Sequence, residues 1–478
     1  MIRSTRRRFL EESLMAAAAA TAGGLPAAAG EGPRRRVSPN ERLRVAVIGV
    51  RGQGSVHVAR WSSVEGVEIA ALCDVDTNVV GEVLKTAEKK TGRKPQFYPD
   101  FRKMLEDKSV DAVSIATPNH WHCLAAIWAM QAGKDVYVEK PLGHNLWEQR
   151  KVVEASRKYG RLVQHGTYPR SYAGIREAVE FLRGGGIGKI TLARGICYNP
   201  RASIGKRPDE PVPPGVDYDL WLGPAPRRPF NRNRFHYNWH WNWDYGGGEL
   251  ANNGVYQIDQ ARWAVGKNEL PRRVLSLGGR FGYEDDGQTP NTQVTLFDWG
   301  DLQMVHEVRG LRTPQYMNFS MGTVVHGTEG YLVCVIKSTT AFDPRGGILR
   351  EFKGEGSPYR NFYEAVKARR RDLLHNEVLE GHLSSGMCHL GNISWRVGEE
   401  RPLEGLEDPF GACEPANEAF RRFREHLKEN GVDLSRTPFR LGRWLQVDPA
   451  TETIPGDPPA QALLKREYRP PYVVPEEV

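Results

Sequence analysis

Lys140, in the run Glu139-Lys140-Pro141, is the residue of this 478-residue chain best suited to move a proton. A lysine drawn out of water loses part of its preference for the charged form, and it can then take a proton from a hydroxyl near neutral pH. The competing reading is a lysine neutralised by Glu139 or another acid. The second chemical stretch is Thr117-Pro118-Asn119-His120-Trp121-His122. Its two histidines stand at i and i+2 of a helix start, so they point apart, and no acidic partner follows at ligand spacing; no metal is expected. One histidine is expected at the cofactor loop and the other packed. These residues need elements to hold them. Residues 113–116 and 135–138 are short apolar, β-branched runs that suit buried strands. Between them residues 123–131 read as one amphipathic helix stopped at Gly133. This is a βαβ unit, right-handed by the general rule, and both loops fall at the carboxyl ends of parallel strands, where open α/β sheets bind ligands.

Residues 43–48 form another strand, followed by Gly49-Val50-Arg51-Gly52-Gln53-Gly54. A dinucleotide fingerprint wants glycine at 49, 51 and 54; here Arg51 takes the middle place and a glycine stands at 52. Gly49 suits the tight turn and Gly54 close helix–strand packing, so a pyrophosphate must be approached at Arg51 or Gly52, with Gln53 beside them. A helix over residues 55–62 and a strand over 67–73 follow. Asp74 then stands where an acid meets ribose hydroxyls and repels a 2′-phosphate, which favours NAD over NADP; a plain turn role is the alternative. Further helices are expected over residues 77–91 and 146–159, with a strand over 162–164. The unbroken alternation from 43 to 164 specifies a doubly wound parallel sheet.

Residues 1–29 read as an address. Arg6-Arg7-Arg8-Phe9-Leu10, an apolar stretch from residue 14 to 20 and Ala27-Ala28-Ala29 fit a twin-arginine signal, with residues 30–42 as linker. The expectation is export to the bacterial periplasm through the twin-arginine machinery. No later segment has the length of a membrane span. The excess of Lys+Arg (66) over Asp+Glu (58) is small and scattered, which argues against nucleic acid. The six cysteines show no C-x-x-C pair and read as buried small hydrophobes.

A second domain is expected over residues 166–400, after a nucleotide domain at 43–165. A helix through residue 182 and strands over 190–198, 273–277, 292–297, 302–309, 323–327 and 330–336 make an open, mostly antiparallel sheet with helices on one face. Residues 235–245 are an aromatic tract interleaved with His, Asn and Asp. Flat rings beside hydrogen-bonding groups suit a sugar; the alternative is a strand carrying Trp239, Trp241 and Trp243 on one face into an interface. Residues 401–478 are expected to hold a helix at 418–430 and a Pro-rich arm lying over the surface or on a neighbouring subunit.

The glycine-rich turn, Asp74, TPNHWH, VEKP and a later GGG-x-L with Asn-x-Gly and Asp259 together resemble the glucose–fructose oxidoreductase / inositol dehydrogenase / rhizopine-catabolism (Gfo/Idh/MocA) family over about residues 43–400. The resemblance implies a Rossmann domain with an α+β partner, and NAD(P)-dependent oxidation of a sugar or cyclitol hydroxyl in a homo-oligomer. It implies that Pro118, Asn119, Glu139 and Lys140 line the nicotinamide, often with a cis Lys140–Pro141 bond; Thr117 and His122 complete that loop. Lys140 would bind the substrate hydroxyl, with Tyr168, Arg170, Trp239, His240, Trp241 and Tyr256 around the substrate. The family commonly sets Asp and His four apart on the helix facing the lysine; this chain has Asn252 and Tyr256. Asn cannot take a proton, and Tyr256 could only if its pKa were lowered, for example by Lys140. His240, His236 and His165 are reserve bases. Three readings follow: an oxidoreductase with tightly held NAD, a redox-neutral NAD-using sugar enzyme such as an epimerase or glycosidase, and a carbohydrate-binding protein without catalysis.

Overall fold

Leu43–Ile48 (β1), Val67–Cys73 (β2), Ala112–Ile115 (β4) and Asp135–Val138 (β5) are apolar on both faces, and such strands are stable only between two layers of helices. In the structure, a computed structural model describing residues 41–336 and 338–478, they do form that sandwich. With Gln96–Tyr98 (β3) and Val163–His165 (β6) they make a six-stranded parallel sheet ordered β3-β2-β1-β4-β5-β6. The strand order reverses between β1 and β4, so the loops after those two strands face each other. The twin-arginine leader and most of the expected linker lie outside the described residues.

Helix Asn119–Gln131 starts four residues earlier than expected and is buried on nearly every side, not amphipathic. The reason is the far end of the chain. Tyr472 and Val474 join Phe101, Trp121 and the helix's inner residues in one core, so the Pro-rich arm covers the face that would otherwise meet water. The arm therefore packs on its own chain.

The second sheet is built on Ile190–Tyr198 (β7), Arg273–Gly279 (β8), Thr292–Asp298 (β9), Gln303–Arg309 (β10), Met321–Gly327 (β11) and Tyr331–Val335 (β12). It is extended by Ser338–Phe342 (β13), Ile348–Phe352 (β14), Glu399–Pro402 (β15), Pro438–Leu441 (β16) and Leu445–Gln446 (β17), all unforeseen in the sequence. The order is β14-β13-β12-β11-β7-β10-β9-β8-β16-β15, with β17 on β8; β7 and β10 are parallel and every other pair antiparallel. Helices cover both faces of its central part rather than one. Val274, Phe297 and Met304 meet helices Gly254–Ala264 and Val378–Arg396, while Leu275, Leu277, Val294 and Leu296 meet Phe420 and Phe423 of helix Glu414–Glu429. Successive residues of these strands are apolar, so both faces need cover.

Helix Val378–Arg396 was not legible in the sequence. Its run of Gly, Ser, His and Asn lacks an apolar stripe because it is enclosed: Gly381 sits on His165, Gly386 on Leu146 and Gly391 on Leu250. It packs against both sheets' helices and fixes the cleft between them. The aromatic tract is not a strand. His236–Trp241 is a 3-10 turn, so Trp239, Trp241 and Trp243 share no face: Trp241 is buried, and Trp239 and Trp243 are half-buried.

Candidate active site between the two sheets

The loop after β1 closes tightly against the loop after β4. A Cβ on Gly49 (φ 78°) would lie 2.9 Å from the Ala116 carbonyl carbon, and one on Gly54 would lie 1.7 Å from the Gly49 oxygen. A Cβ on Gly52 (φ 56°) would meet nothing within 4 Å, so the open side of the turn is at Gly52. No side chain caps the helix Gln53–Trp61 that starts there; the N–H groups of Gly54 and Ser55 turn back to Arg51 O and Gly52 O (both 3.1 Å), so an anion would meet only the N–H groups ahead of them. Across the gap the hydroxyl of Thr117 is buried without a partner. These features fit the phosphates and ribose of a dinucleotide.

Asp74 takes the turn role that the sequence allowed. Its oxygens accept the N–H of Val50 (2.8 Å) and of Asp76 (3.0 Å), bracing the turn at the end of β2. Burial raises its pKa to about 6 against those two hydrogen bonds. Arg51 lies beside Asp74 and Asp76. A strap from the second half of the chain crosses this end: Thr77 N–H donates to Gly215 O and Asp217 N–H to Val75 O (both 2.9 Å), and Asp76 bridges Val216. His236, held at φ 51°, places Nε2 3.2 Å from Asp76.

At the other end, Glu139 is a fixed carboxylate. Trp61 Nε1–H donates to Ser114 Oγ (2.8 Å), whose hydroxyl faces His57 Nδ1 (2.8 Å), and His57 Nε2 reaches Glu139 Oε1 (2.9 Å). Indole only donates and a carboxylate only accepts, so Ser114 Oγ accepts from Trp61 and His57 Nε2–H donates to Glu139. Gln53 Nε2 (3.1 Å) and the Lys140 backbone N–H (3.0 Å) are further donors to the carboxylate. Burial alone would raise Glu139; the His57 contact and the Lys140 groups outweigh it and hold it at about 2. Nothing in the spacing of His57 and Ser114 revealed this network.

Glu139 therefore serves the main chain of Lys140, not its ammonium. The Lys140–Pro141 bond is cis, and Lys140 Nζ donates to Asn252 O (2.9 Å) and Asn252 Oδ1 (3.1 Å). Among the described residues Lys140 forms no ion pair. The nearby Glu249 is bound by Arg201 (3.1 Å) and Asn199 (3.1 Å), a buried pair that sequence reasoning missed. Burial lowers the Lys140 pKa, against the pull of Glu139 and Glu249.

The remaining site residues divide. Tyr256 has its ring centre 5.2 Å from Lys140 Nζ and 5.1 Å from the Tyr168 ring. Its phenol is not lowered as the base role required: burial, then the charge of Glu139, pushes it well up. His240 sits near Lys140, stacked on Trp239 (3.6 Å between ring centres) with Nδ1 on the Tyr237 carbonyl; burial lowers it to about 3. Arg170 does not reach a substrate, because its guanidinium is spent on Asp259 (two bonds of 2.9 Å) and Glu380 in the interior. The Trp241 ring is buried under Arg201. His122 lies between two carbonyls, Nδ1 2.7 Å from Pro141 O and Nε2 2.8 Å from Thr117 O; burial favours the neutral ring, so its one N–H bonds one of them, and the ring fills the space between the two loops. His120 is spent on Trp221 O (2.9 Å) and His165 is buried, lowered to about 4 by burial. Among the described residues no three His, Cys, Asp or Glu side chains converge on a metal site, and all six cysteines are free and buried.

A glycine turn, a strand-end acid and a loop-borne lysine around a topological switch point define a dinucleotide-binding fold. The oxidoreductase family with an NAD-binding Rossmann fold matches residues 43–167, and its C-terminal alpha/beta domain matches residues 189–425; the chain belongs to the Gfo/Idh/MocA family. It is 31% identical over 137 residues to a glycosyl hydrolase family 109 protein of Akkermansia muciniphila (27% of this chain, 28% of that one). It is 33% identical over 159 residues to an inositol 2-dehydrogenase of Salmonella paratyphi B (33% and 46%). The chain thus spans less than half the length of these curated relatives. Similar folds are the Bordetella pertussis WlbA dehydrogenase, solved with NADH and UDP-GlcNAcA (TM-score 0.51, 20% identity, 72% of this chain and 93% of that one), and the Caulobacter crescentus aldose-aldose oxidoreductase, solved with glycerol (0.54, 19%, 72% and 94%). No helix among the described residues is long and apolar enough to cross a membrane.

Proposed function

We propose that this protein oxidises a hydroxyl of a sugar or cyclitol with a nicotinamide cofactor, NAD rather than NADP, that stays bound between turnovers. The observation that carries this is Lys140: a largely buried amine without a carboxylate partner, at the carboxyl end of β5 beside the switch-point groove. A nicotinamide held at the Gly49–Gly54 turn would supply the hydride acceptor for the substrate carbon. Lys140 takes the hydroxyl proton, Glu139 fixes the lysine's main chain, and Tyr168 and Tyr256 wall the pocket with rings and phenols suited to a sugar's C–H faces and hydroxyls. Asp74 receives the ribose hydroxyls and Thr117 a polar group of the cofactor. The strap of residues 213–217 over the ribose end supports retention of the cofactor, which an exported enzyme without a nucleotide pool requires. Export by the twin-arginine route is supported by the basic leader and Ala27-Ala28-Ala29.

That strap also favours a second reading. A retained cofactor that is reduced and reoxidised within one turnover gives a redox-neutral sugar enzyme, and relatives named as glycosyl hydrolases agree with it. The test is to denature purified mature protein and identify the released nucleotide by mass and absorbance. Near-stoichiometric NAD is expected; product formation that needs an added acceptor selects the first reading, and turnover without one the second. No nucleotide, with no binding of added NAD, refutes both and leaves a carbohydrate-binding protein.

A further inference from the structure

We propose that Arg466 and His144 are positioning residues for the reaction: together they hang the aromatic tract, and with it His240, on the loop that carries Lys140, so that the Pro-rich arm takes part in building the pocket. The inference rests on the oxidoreductase reading for the role of Lys140, while the contact itself is independent of that reading. His144 stands on the loop that leaves the cis Lys140–Pro141 bond. Its Nε2 lies 2.9 Å from the Trp243 carbonyl oxygen, and its Nδ1 lies 3.2 Å from Nη1 of Arg466. The same Nη1 lies 2.8 Å from the Asp244 carbonyl oxygen. A nucleotide-domain loop, the aromatic tract and the arm, far apart in the chain, thus meet at one imidazole.

The partners fix the state of that ring. A guanidinium only donates and a carbonyl only accepts, so Nδ1 must accept and Nε2–H must donate. An imidazolium would set an N–H against the guanidinium's N–H, and a flipped ring would set carbon against both partners. The contact therefore exists only with His144 neutral and its proton on Nε2. The surroundings agree with this form. Burial, then Arg466 on the arm, His389 on helix Val378–Arg396, His120 on helix Asn119–Gln131 and Arg396 all oppose a charged ring. Glu148 is no counter-ion, since it accepts the His144 main-chain N–H and the Tyr468 hydroxyl, and Asp244 pairs with Arg228 at 2.9 Å.

Both sides of this bridge are stiff, so it transmits position. On the lysine side, Pro141 O faces His122 (2.7 Å), Leu142 N–H donates to Ser385 Oγ (3.0 Å) and Gly143 O faces His389 Nε2 (3.1 Å). A Cβ on Gly143 would lie 2.2 Å from Cys123 Sγ, which leaves the loop no room to shift. On the tract side the turn is tight. Asn242 N–H donates to Trp239 O (3.1 Å) and Gly246 N–H to Asn242 O (2.9 Å), and a Cβ on Gly246 would lie 2.7 Å from His240 Cα. A movement of Trp243 is therefore passed to His240, which stacks on Trp239 near Lys140. Gln288 also holds the tract, through the Trp243 N–H (2.9 Å), but it belongs to the second half of the chain and does not set the distance to the lysine loop.

The experiment is exchange of the imidazole C2 hydrogen for deuterium in the full-length protein over a pH series, read for each histidine by mass spectrometry. Wild type is compared with Arg466→Ala, His144→Leu and His144→Gln. In the wild type His144 is expected to titrate below an ordinary histidine, and in Arg466→Ala to titrate higher. His240 should exchange roughly tenfold faster in Arg466→Ala and His144→Leu, because the wall it stands on opens locally. In His144→Gln the amide still offers one acceptor to Arg466 and one donor to Trp243, so His240 should stay within about twofold of the wild type. A wild-type His144 that titrates like an ordinary histidine overturns the proposal without any variant. So does His240 exchange that is unchanged in His144→Leu, or as fast in His144→Gln as in His144→Leu. Nucleotide content of the same preparations is counted separately, so loss of the cofactor reading and loss of the His144 bridge are told apart.

Discussion

His57 stands 82 residues before the carboxylate it serves, yet its removal should cost more stability than that of most residues around Lys140. His57→Ala cuts the Trp61–Ser114–His57–Glu139 chain and leaves a buried carboxylate short of its main side-chain donor. Glu139 is held at about 2 against an ordinary 4.5. A shift of roughly 2.5 units corresponds to on the order of 3 kcal/mol shared among its donors. Leaving a buried charge uncompensated costs about 3–5 kcal/mol in general. We expect His57→Ala to lose about 4 kcal/mol in urea unfolding at pH 7, followed by tryptophan fluorescence. In the Glu139→Gln background the same change should cost about 2 kcal/mol less, because the stranded charge is gone. The pH dependence has a definite sign. The folded pKa is depressed, so the stabilisation is complete above pH 4.5 and is lost as pH falls towards 2; the gap between wild type and His57→Ala should close over that window. Additivity of the two substitutions within about 0.5 kcal/mol would refute the coupling, as would a gap that does not change with pH.

Gly54→Ala puts a methyl group 1.7 Å from the Gly49 carbonyl, so bound nucleotide should fall at least tenfold while far-UV circular dichroism is kept. Asp74 is raised to about 6, so affinity for NAD should weaken as pH falls through 6, and the slope should vanish in Asp74→Asn; titration calorimetry reads both. Gly215→Val forces a side chain onto a φ of 84° with its Cβ 2.7 Å from the Thr77 hydroxyl; this should loosen the strap and speed NAD release several-fold, measured by exchange with labelled NAD. Arg170→Ala should lower stability by about 3 kcal/mol or more without a selective rise in KM, since its guanidinium serves the buried Asp259.

The parallel sheet, the two facing loops and Lys140 were legible in the sequence because each rests on local signals. Apolar runs bounded by glycine specify buried strands, a turn of fixed spacing specifies a helix start, and both loops must lie at the carboxyl edge of a parallel sheet. The aromatic tract and helix Val378–Arg396 were not legible for the opposite reason. A 3-10 turn has no apolar period to read, and a helix enclosed on all sides has no polar face to contrast. The sequence also determined that Asn252 could not be a base. It could not determine what Asn252 does, because that depends on a helix break at Asn253 that redirects one N–H and frees a carbonyl 112 residues from the lysine it meets. Likewise Arg170 and Trp241 have the right chemistry for a sugar, and only their partners, Asp259 and Arg201, spend it elsewhere. Residue type fixes what a group is able to do; burial and the competition for its hydrogen bonds, which exist only once distant segments are packed together, decide whether it is free to do it.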